Sequence, residues 1–266
     1  AILNAERSIF AGNSSTARRT FSGGYEYMPT GVGGIAVQNG WAAAESTQLN
    51  MENCLLLNNY VHTNYSDIYQ DYDTIVNLKN VTIFAAPSMK GAIYVGGNMT
   101  IQNSIVTEPI IMAEYYAVLN ASYNCTVNDL GTYGTNNLNC DPLLNPIGYL
   151  LSDSPCIDAG LSANAPAMDI DGCERPVGSA VDIGCHEFKD TDSDGIPDLI
   201  ELTAGLDPND ASDASADRDG DGISNLAEYQ QGSAIHGTDS DGDGISDTAE
   251  LAAGTDPITF TRIIHV

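Results

Sequence analysis

The sequence predicts a mainly β fold: a solenoid of short strands over residues 1–188, then a small module of acidic loops and short helices over 189–257, and a strand-like tail over 258–266. Three observations carry this reading. Four eight-residue segments align without gaps: LNAERSIF (3–10), LNMENCLL (49–56), VNLKNVTI (76–83) and MTIQNSIV (99–106). Their apolar residues alternate with a period of two and are separated by Gly, Asn, Ser and Pro breaks, which is a strand pattern and not a helical one. One acidic twelve-residue design then occurs three times, starting at Asp190, Asp217 and Asp239.

The four strand segments are offset by 46, 27 and 23 residues. Spacings of roughly 20–30 residues mark a solenoid. The first offset is about twice the last, so an irregular extra copy is expected between Gly24 and Val37. Asn53, Asn80 and Asn103 fall on one aligned position, where the first segment has Arg7. Equivalent positions in successive parallel coils stack about 4.8 Å apart, so these residues are expected to form a structural amide ladder.

Six cysteines are present and none forms a C-x-x-C pair or a zinc-spaced cluster with His. An even count beside the acidic loops favours disulfides, with Cys173–Cys185 and Cys125–Cys140 as the expected bridges.

The end of the solenoid carries several short motifs in order. They are Asn139-Cys140-Asp141-Pro142, Ser154-Pro155-Cys156-Ile157-Asp158-Ala159-Gly160, Asp169-Ile170-Asp171-Gly172, Arg175-Pro176 and Val181-Asp182-Ile183-Gly184 up to Glu187. The Asp-Gly pairs are turn chemistry, because a short carboxylate bonds nearby backbone N–H groups and Gly accepts positive φ. This stretch resembles the C-terminal end of bacterial β-helix proteins of the choice-of-anchor Q kind. The resemblance implies a secreted or surface-anchored right-handed parallel β-helix of the pectate-lyase architecture, and no particular reaction.

The acidic loops follow one numbering. Carboxylates stand at positions 1, 3, 5 and 12, Asp or Asn at 9, Gly at 6 and Ile at 7. The first loop has Asp190, Asp192, Asp194, Ile196, Asp198 and Glu201. The second has Asp217, Asp219, Asp221, Ile223, Asn225 and Glu228. The third has Asp239, Asp241, Asp243, Ile245, Asp247 and Glu250. Alternating acids in a tight loop converge on one point, and a late Glu closes the shell from the first turn of a helix. Ca2+ takes six to eight oxygens in this way, so these residues are the candidate ligands of about three ions. With Ile at position 7 and the trailing Gly205-Leu206-Asp207-Pro208 and Gly254-Thr255-Asp256-Pro257, the module resembles thrombospondin type 3 repeats in their bacterial form. Short helices are expected over 197–204, 224–231 and 246–253, stopped by Gly205, Gly232 and Gly254. Leu199, Leu202, Leu226 and Leu251 are too few for an ordinary core, so the ions are expected to replace one.

The 266 residues carry a formal net charge of −27, and residues 190–266 hold 18 of the 36 acids with only Arg218 and Arg262 as bases. Such a surface repels phosphate backbones and anionic lipid, which argues against nucleic acid as a partner. No apolar run reaches the ~18 residues of a membrane span. Calcium loops of this kind point to an extracellular or cell-surface setting.

No Ser/His/Asp signature or H-E-x-x-H occurs, and no catalytic residue is assigned. The acids and tyrosines Tyr65, Asp67, Tyr69, Asp71, Tyr72 and Asp73 form the best candidate ligand surface, for a glycan if the solenoid is carbohydrate-active. The favoured expectation is a non-enzymatic adhesion, matrix or fibre protein. It would self-associate head to tail through the end that holds Leu3 and Phe10 and the tail between Ile258 and Val266.

Overall fold

The computed structural model describes residues 2–11, 35–37, 47–59, 67–84, 91–113 and 117–259. It is mainly β, with parallel sheets and few helices. The described strands are, in chain order, β1 (Ile2–Glu6), β2 (Ile9–Ala11), β3 (Ile35–Val37), β4 (Thr47–Glu52), β5 (Leu55–Leu57), β6 (Ile68–Gln70), β7 (Thr74–Lys79), β8 (Thr82–Phe84), β9 (Ile93–Val95), β10 (Asn98–Gln102), β11 (Ile105–Val106), β12 (Ile110–Met112), β13 (Val118–Ser122), β14 (Cys125–Thr126) and β15 (Gly134–Thr135). They pair in three sheets, ordered β1-β4-β7-β10-β13-β15, β14-β11-β8-β5-β2 and β12-β9-β6-β3. The chain therefore visits the sheets in turn, and each strand pairs in parallel with its counterpart one circuit later.

The register follows the sequence repeat. Leu3 pairs with Leu49, Leu49 with Val76 and Val76 with Met99. Period-two alternation places one face of β4 and β7 inside. Leu49, Met51, Val76, Leu78, Met99 and Ile101 accordingly stack in the core with residues of the other sheets. Two expectations change. β1 and β4 pair directly, so no strand lies between them in the first sheet, and Ile35–Val37 supplies the third-sheet strand of that circuit; residues 24–34 of the expected extra copy lie outside the described residues. A further circuit, β13 and β14, was not singled out in the sequence because Tyr123 stands where Asn marks the earlier copies.

Strands of the second sheet are buried on both faces at Leu55, Thr82, Ile105 and Cys125, unlike the half-exposed strands of the first. The closing segment accounts for this. Ile170 and Cys185 pack on Leu55, and the Cys185 N–H donates to Thr82 Oγ1 at 3.0 Å. The corner asparagines serve the same union. Arg7, Asn53, Asn80 and Asn103 all adopt φ between 47° and 49°, the left-handed region that Asn tolerates best among residues with a side chain. The one Asn–Asn contact in this row is Asn103 to Asn80 at 3.4 Å. Their stronger bonds reach the closing segment: Asn53 Nδ2 to Met168 O at 2.6 Å, Asn103 Nδ2 to Leu161 O at 2.9 Å, and Leu161 N to Asn103 Oδ1 at 2.8 Å. The row is thus more a clasp than a ladder. Asn103→Ala is expected to cost about 2–4 kcal/mol in denaturant unfolding, from the lost bonds and the left-handed backbone. Asn103→Gly should recover only the backbone part, and a cost below about 1 kcal/mol for the Ala variant would refute the clasp.

The chain divides into two compact units, one of Ala1–Leu143 with Ser154–Glu187 and one of Leu144–Asp153 with Phe188–Val266. Within the first, Arg175 and Glu187 form a buried ion pair at 2.6 Å. Within the second, α1 (Asp198–Ala204), α2 (Asn225–Gln231) and α3 (Asp247–Ala253) end at Gly205, Gly232 and Gly254, each with φ 75°. This unit has a small apolar core after all. Ile196, Ala204, Ala214, Tyr229 and Ile235 are buried together, with Tyr149 and Leu151 packed on them. Asn145 Nδ2 donates to Tyr229 O at 2.9 Å, and the Tyr229 hydroxyl to Leu150 O at 2.5 Å. Leu226 packs on this core, and the Leu144–Asp153 segment supplies what Leu202 and Leu251, which are exposed, do not.

The expected disulfides are not formed. All six cysteines are thiols, and the Cys125 and Cys140 sulphurs stand 3.7 Å apart, against about 2.05 Å in a bond. The neighbouring Cys156 thiol and burial raise the Cys125 thiol pKa.

Candidate calcium sites

Each acidic loop is shaped by hydrogen bonds from its own backbone. At position 1, one carboxylate oxygen accepts the N–H of position 4 and the other that of position 6. In the first loop these are Ser193 N to Asp190 Oδ1 at 2.7 Å and Gly195 N to Asp190 Oδ2 at 2.9 Å. The second loop repeats them at 2.7 and 2.9 Å, and the third at 2.9 and 3.0 Å. Position 6 needs glycine because its φ is 99°, 102° and 92° in the three loops. Oδ1 of position 3 accepts from position 5, and Oδ1 of position 5 from position 7.

What these bonds leave over defines the sites. Asp192 Oδ2, Asp219 Oδ2 and Asp241 Oδ2 are buried with no hydrogen-bond donor, as are both carboxylate oxygens of Glu201 and Glu228 and Oε2 of Glu250. The three glutamates are fully buried. Each sits on the first turn of its helix; Ser224 and Ser246 cap the second and third helices by accepting from Ala227 N and Ala249 N. Buried carboxylate oxygens without donors are costly unless a cation faces them. Burial, then Asp194, Asp192 and Asp213, push the Glu201 carboxyl up to about 8. Burial, then Asp219, Asp221 and Asp217, push Glu228 up to about 8, and Glu250 is raised for like reasons. Ligand oxygens of positions 1, 3 and 5 lie within 4.8 Å of one another in every loop. A hard oxygen-seeking dication such as Ca2+ fits this donor set.

Position 9 has a bracing role. Asp198 accepts Thr191 N at 2.8 Å and the Thr191 hydroxyl at 2.7 Å, and pairs with Lys189 at 2.6 Å. Asp247 holds Ser240 N and its hydroxyl in the same way. Asn225 Oδ1 accepts Arg218 N at 3.0 Å. These three residues brace position 2 of their loops and stand outside the groups of converging carboxylates found among the described residues. The second loop can carry Asn because Arg218 brings no hydroxyl that needs a second acceptor.

The tyrosine–carboxylate patch does not gather into one surface. Asp67 is fully buried and accepts Asn59 Nδ2 at 2.9 Å. Tyr69 stacks on Tyr94 with centroids 5.1 Å apart and planes at 6°. Asp71 accepts the Tyr72 N–H at 2.9 Å, and burial raises its pKa. Tyr72 and Asp73 are exposed, and Tyr65 lies outside the described residues.

A second acidic group, Asp169, Asp171 and His186, also clusters. Asp169 there is occupied by four backbone N–H groups, those of Asp171, Gly172, Cys173 and Glu187, so it builds a turn. One residue of the calcium region escaped the sequence: Asp213, whose carboxylate joins Asp194 and Glu201. Nothing in the repeat pattern marks it, since it stands in the spacer after the first helix.

Residues 190–211, 217–233 and 239–259 match the bacterial TSP3 repeat, a calcium-binding type. The C-terminal part of the chain is thus a set of such repeats, and its aspartate clusters could hold metal. Repeats of this type suggest an extracellular protein, and no described helix is long and apolar enough to cross a membrane. Searches of curated proteins and of solved structures found no match.

Proposed function

We propose that this is a secreted or surface protein of adhesion, matrix or fibre assembly, in which a right-handed parallel β-helix forms a rigid body and three calcium ions order the C-terminal repeats. The observation that carries the reading is the set of donorless buried oxygens on Glu201, Glu228 and Glu250, each at the same place in its loop. The β-helix is supported by the regular circuit through three parallel sheets. The structural role of the ions is supported by the braces at position 9, which fix each loop to its own helix. Self-association is supported at one end: β1 and β2 are edge strands among the described residues, and Ile2 and Ile9 are exposed. A strand edge that presents unpaired backbone groups can accept a further strand. The tail that would supply it lies mostly outside the described residues.

Equilibrium dialysis with elemental analysis, followed by sedimentation of the loaded protein, tests both parts. Three calcium ions per chain and a population of large assemblies are expected. Uptake of one ion or none would overturn the calcium reading, and a single monomeric species would overturn the assembly.

A further inference from the structure

Asp213 opens a short 3-10 helix, Asp213–Ser215, in the spacer between α1 and the second loop. Its Oδ2 accepts the Asp207 N–H at 2.9 Å. Its Oδ1 is buried and has no donor. A ligand oxygen of Asp213 lies within 4.8 Å of those of Asp194 and Glu201. Glu201 is itself fully buried with both oxygens lacking a donor, and Asp194 Oδ2 and Asp213 Oδ1 are likewise buried without one, so each of the three carboxylates keeps an unpartnered oxygen. Near the second and third loops, the groups found among the described residues contain only the acids of positions 1, 3 and 5.

The same residue is tied to the next repeat. Asn225, at position 9 of the second loop, donates its Nδ2 to Asp213 O at 2.8 Å, and its backbone N–H goes to Ala216 O at 2.8 Å. In the first and third loops position 9 is Asp, which has no amide to give. The Asn of the second loop keeps the brace on the Arg218 N–H that Asp makes at position 2 elsewhere, and its amide adds a bond that fastens the turn carrying Asp213.

We propose that Asp213 is a ligand of the ion in the first loop, giving that site one more carboxylate than the other two, and that through Asn225 it links the filling of the first site to the ordering of the second. The inference rests on the calcium reading above. Calcium affinity rises with the number of charged ligands and the rigidity of the site, so the first site is the tightest of the three and the second fills in its wake.

Nitrogen-15 NMR of the full chain during calcium titration tests this, because the position-6 amides of Gly195, Gly222 and Gly244 report the three sites separately. In the wild type, Gly195 reaches its midpoint at lower calcium than Gly244. Asp213→Asn keeps an oxygen for the Asp207 N–H and removes the charge. It should raise the Gly195 midpoint by about tenfold or more, carry Gly222 upward by a smaller factor, and leave Gly244 unchanged. The unmoved Gly244 also shows that the variant is folded. A Gly195 midpoint equal to the wild type overturns Asp213 as a ligand while the calcium reading stands. A shift at Gly195 with none at Gly222 overturns the link. A wild type in which no glycine responds to calcium overturns the calcium reading and this inference together.

Discussion

Excess chelator is expected to open residues 190–259 to proteases while the parallel sheets stay resistant. At neutral pH each loop draws several carboxylates to one point, and the position-12 glutamates are buried without donors. Removing the cation leaves that crowding relieved only by protons taken up on the buried glutamates, Glu201 and Glu228 being raised to about 8. Each site held at 100 times its Kd in free calcium contributes about 2.7 kcal/mol of stability. The third repeat should fail first. The small core of the second unit draws on the first two repeats and on Leu144–Asp153, whereas Leu251 of the third is 42% exposed. Limited proteolysis read by mass spectrometry should therefore show cleavage progressing from the C-terminal side. Unchanged resistance after chelation would contradict the ions' structural role.

The pH dependence of the chelated protein has a definite sign. Glu201 and Glu228 titrate near 8 when folded, against an ordinary value of 4.5. Between those values the folded unit binds protons that the unfolded chain does not, so stability is present below about 4.5 and is lost as pH rises through about 8. Without calcium, the second unit should melt at a higher temperature at pH 5 than at pH 8. With calcium the order reverses, because protons compete with the ion for the same oxygens. A calcium-free melting temperature that rises with pH would refute the assignment of these glutamates as crowded and uncompensated.

Loss of the Arg175–Glu187 pair should be the most damaging single change in the first unit. Both side chains are buried, 0% and 1% exposed, and they meet at 2.6 Å. The guanidinium also donates to Asp182 O and Gly184 O, while the Glu187 carboxylate accepts Val177 N at 2.9 Å and Asp182 N at 2.7 Å. The pair thus satisfies four backbone groups of the closing segment, and either deletion strands a charge as well. Arg175→Ala is expected to cost about 3–5 kcal/mol, which for a unit of this size lowers the melting temperature by about 6–20 °C. Replacing both residues, Arg175→Met with Glu187→Leu, removes the stranded charge but leaves the backbone groups unpaired, so it should recover only part of the loss. Calcium uptake by the second unit should be unchanged in either variant. A cost under about 1 kcal/mol for Arg175→Ala would show that the closing segment is held by its apolar contacts alone.

Much of this architecture was legible because its causes are local or strictly repeated. The pairing of Leu3, Leu49, Val76 and Met99 follows from period-two alternation at matching positions, since parallel strands of successive circuits must align their inward residues. The acid loops announce themselves because each bond that shapes them spans only two to five residues. The helix ends follow from Gly205, Gly232 and Gly254. Where the local cue is missing, as at Tyr123, the sequence does not mark the strands on either side. Where a spacing is ambiguous, as between Leu3 and Leu49, the sequence does not tell a long circuit from an extra copy, and only the direct β1–β4 pairing shows that these two are neighbours.

By itself, then, the sequence determined the strand register, the three acidic loops and the helices that carry their glutamates, all set by interactions between neighbours in the chain or between equivalent repeat positions. Only the tertiary structure decided that the corner asparagines clasp the closing segment, that Leu144–Asp153 completes the core of the repeats, that position 9 braces its loop, and that Asp213 reaches the first site. Each of these depends on which distant backbone groups need a partner and which apolar surfaces need cover. That accounting closes only when the whole chain is packed.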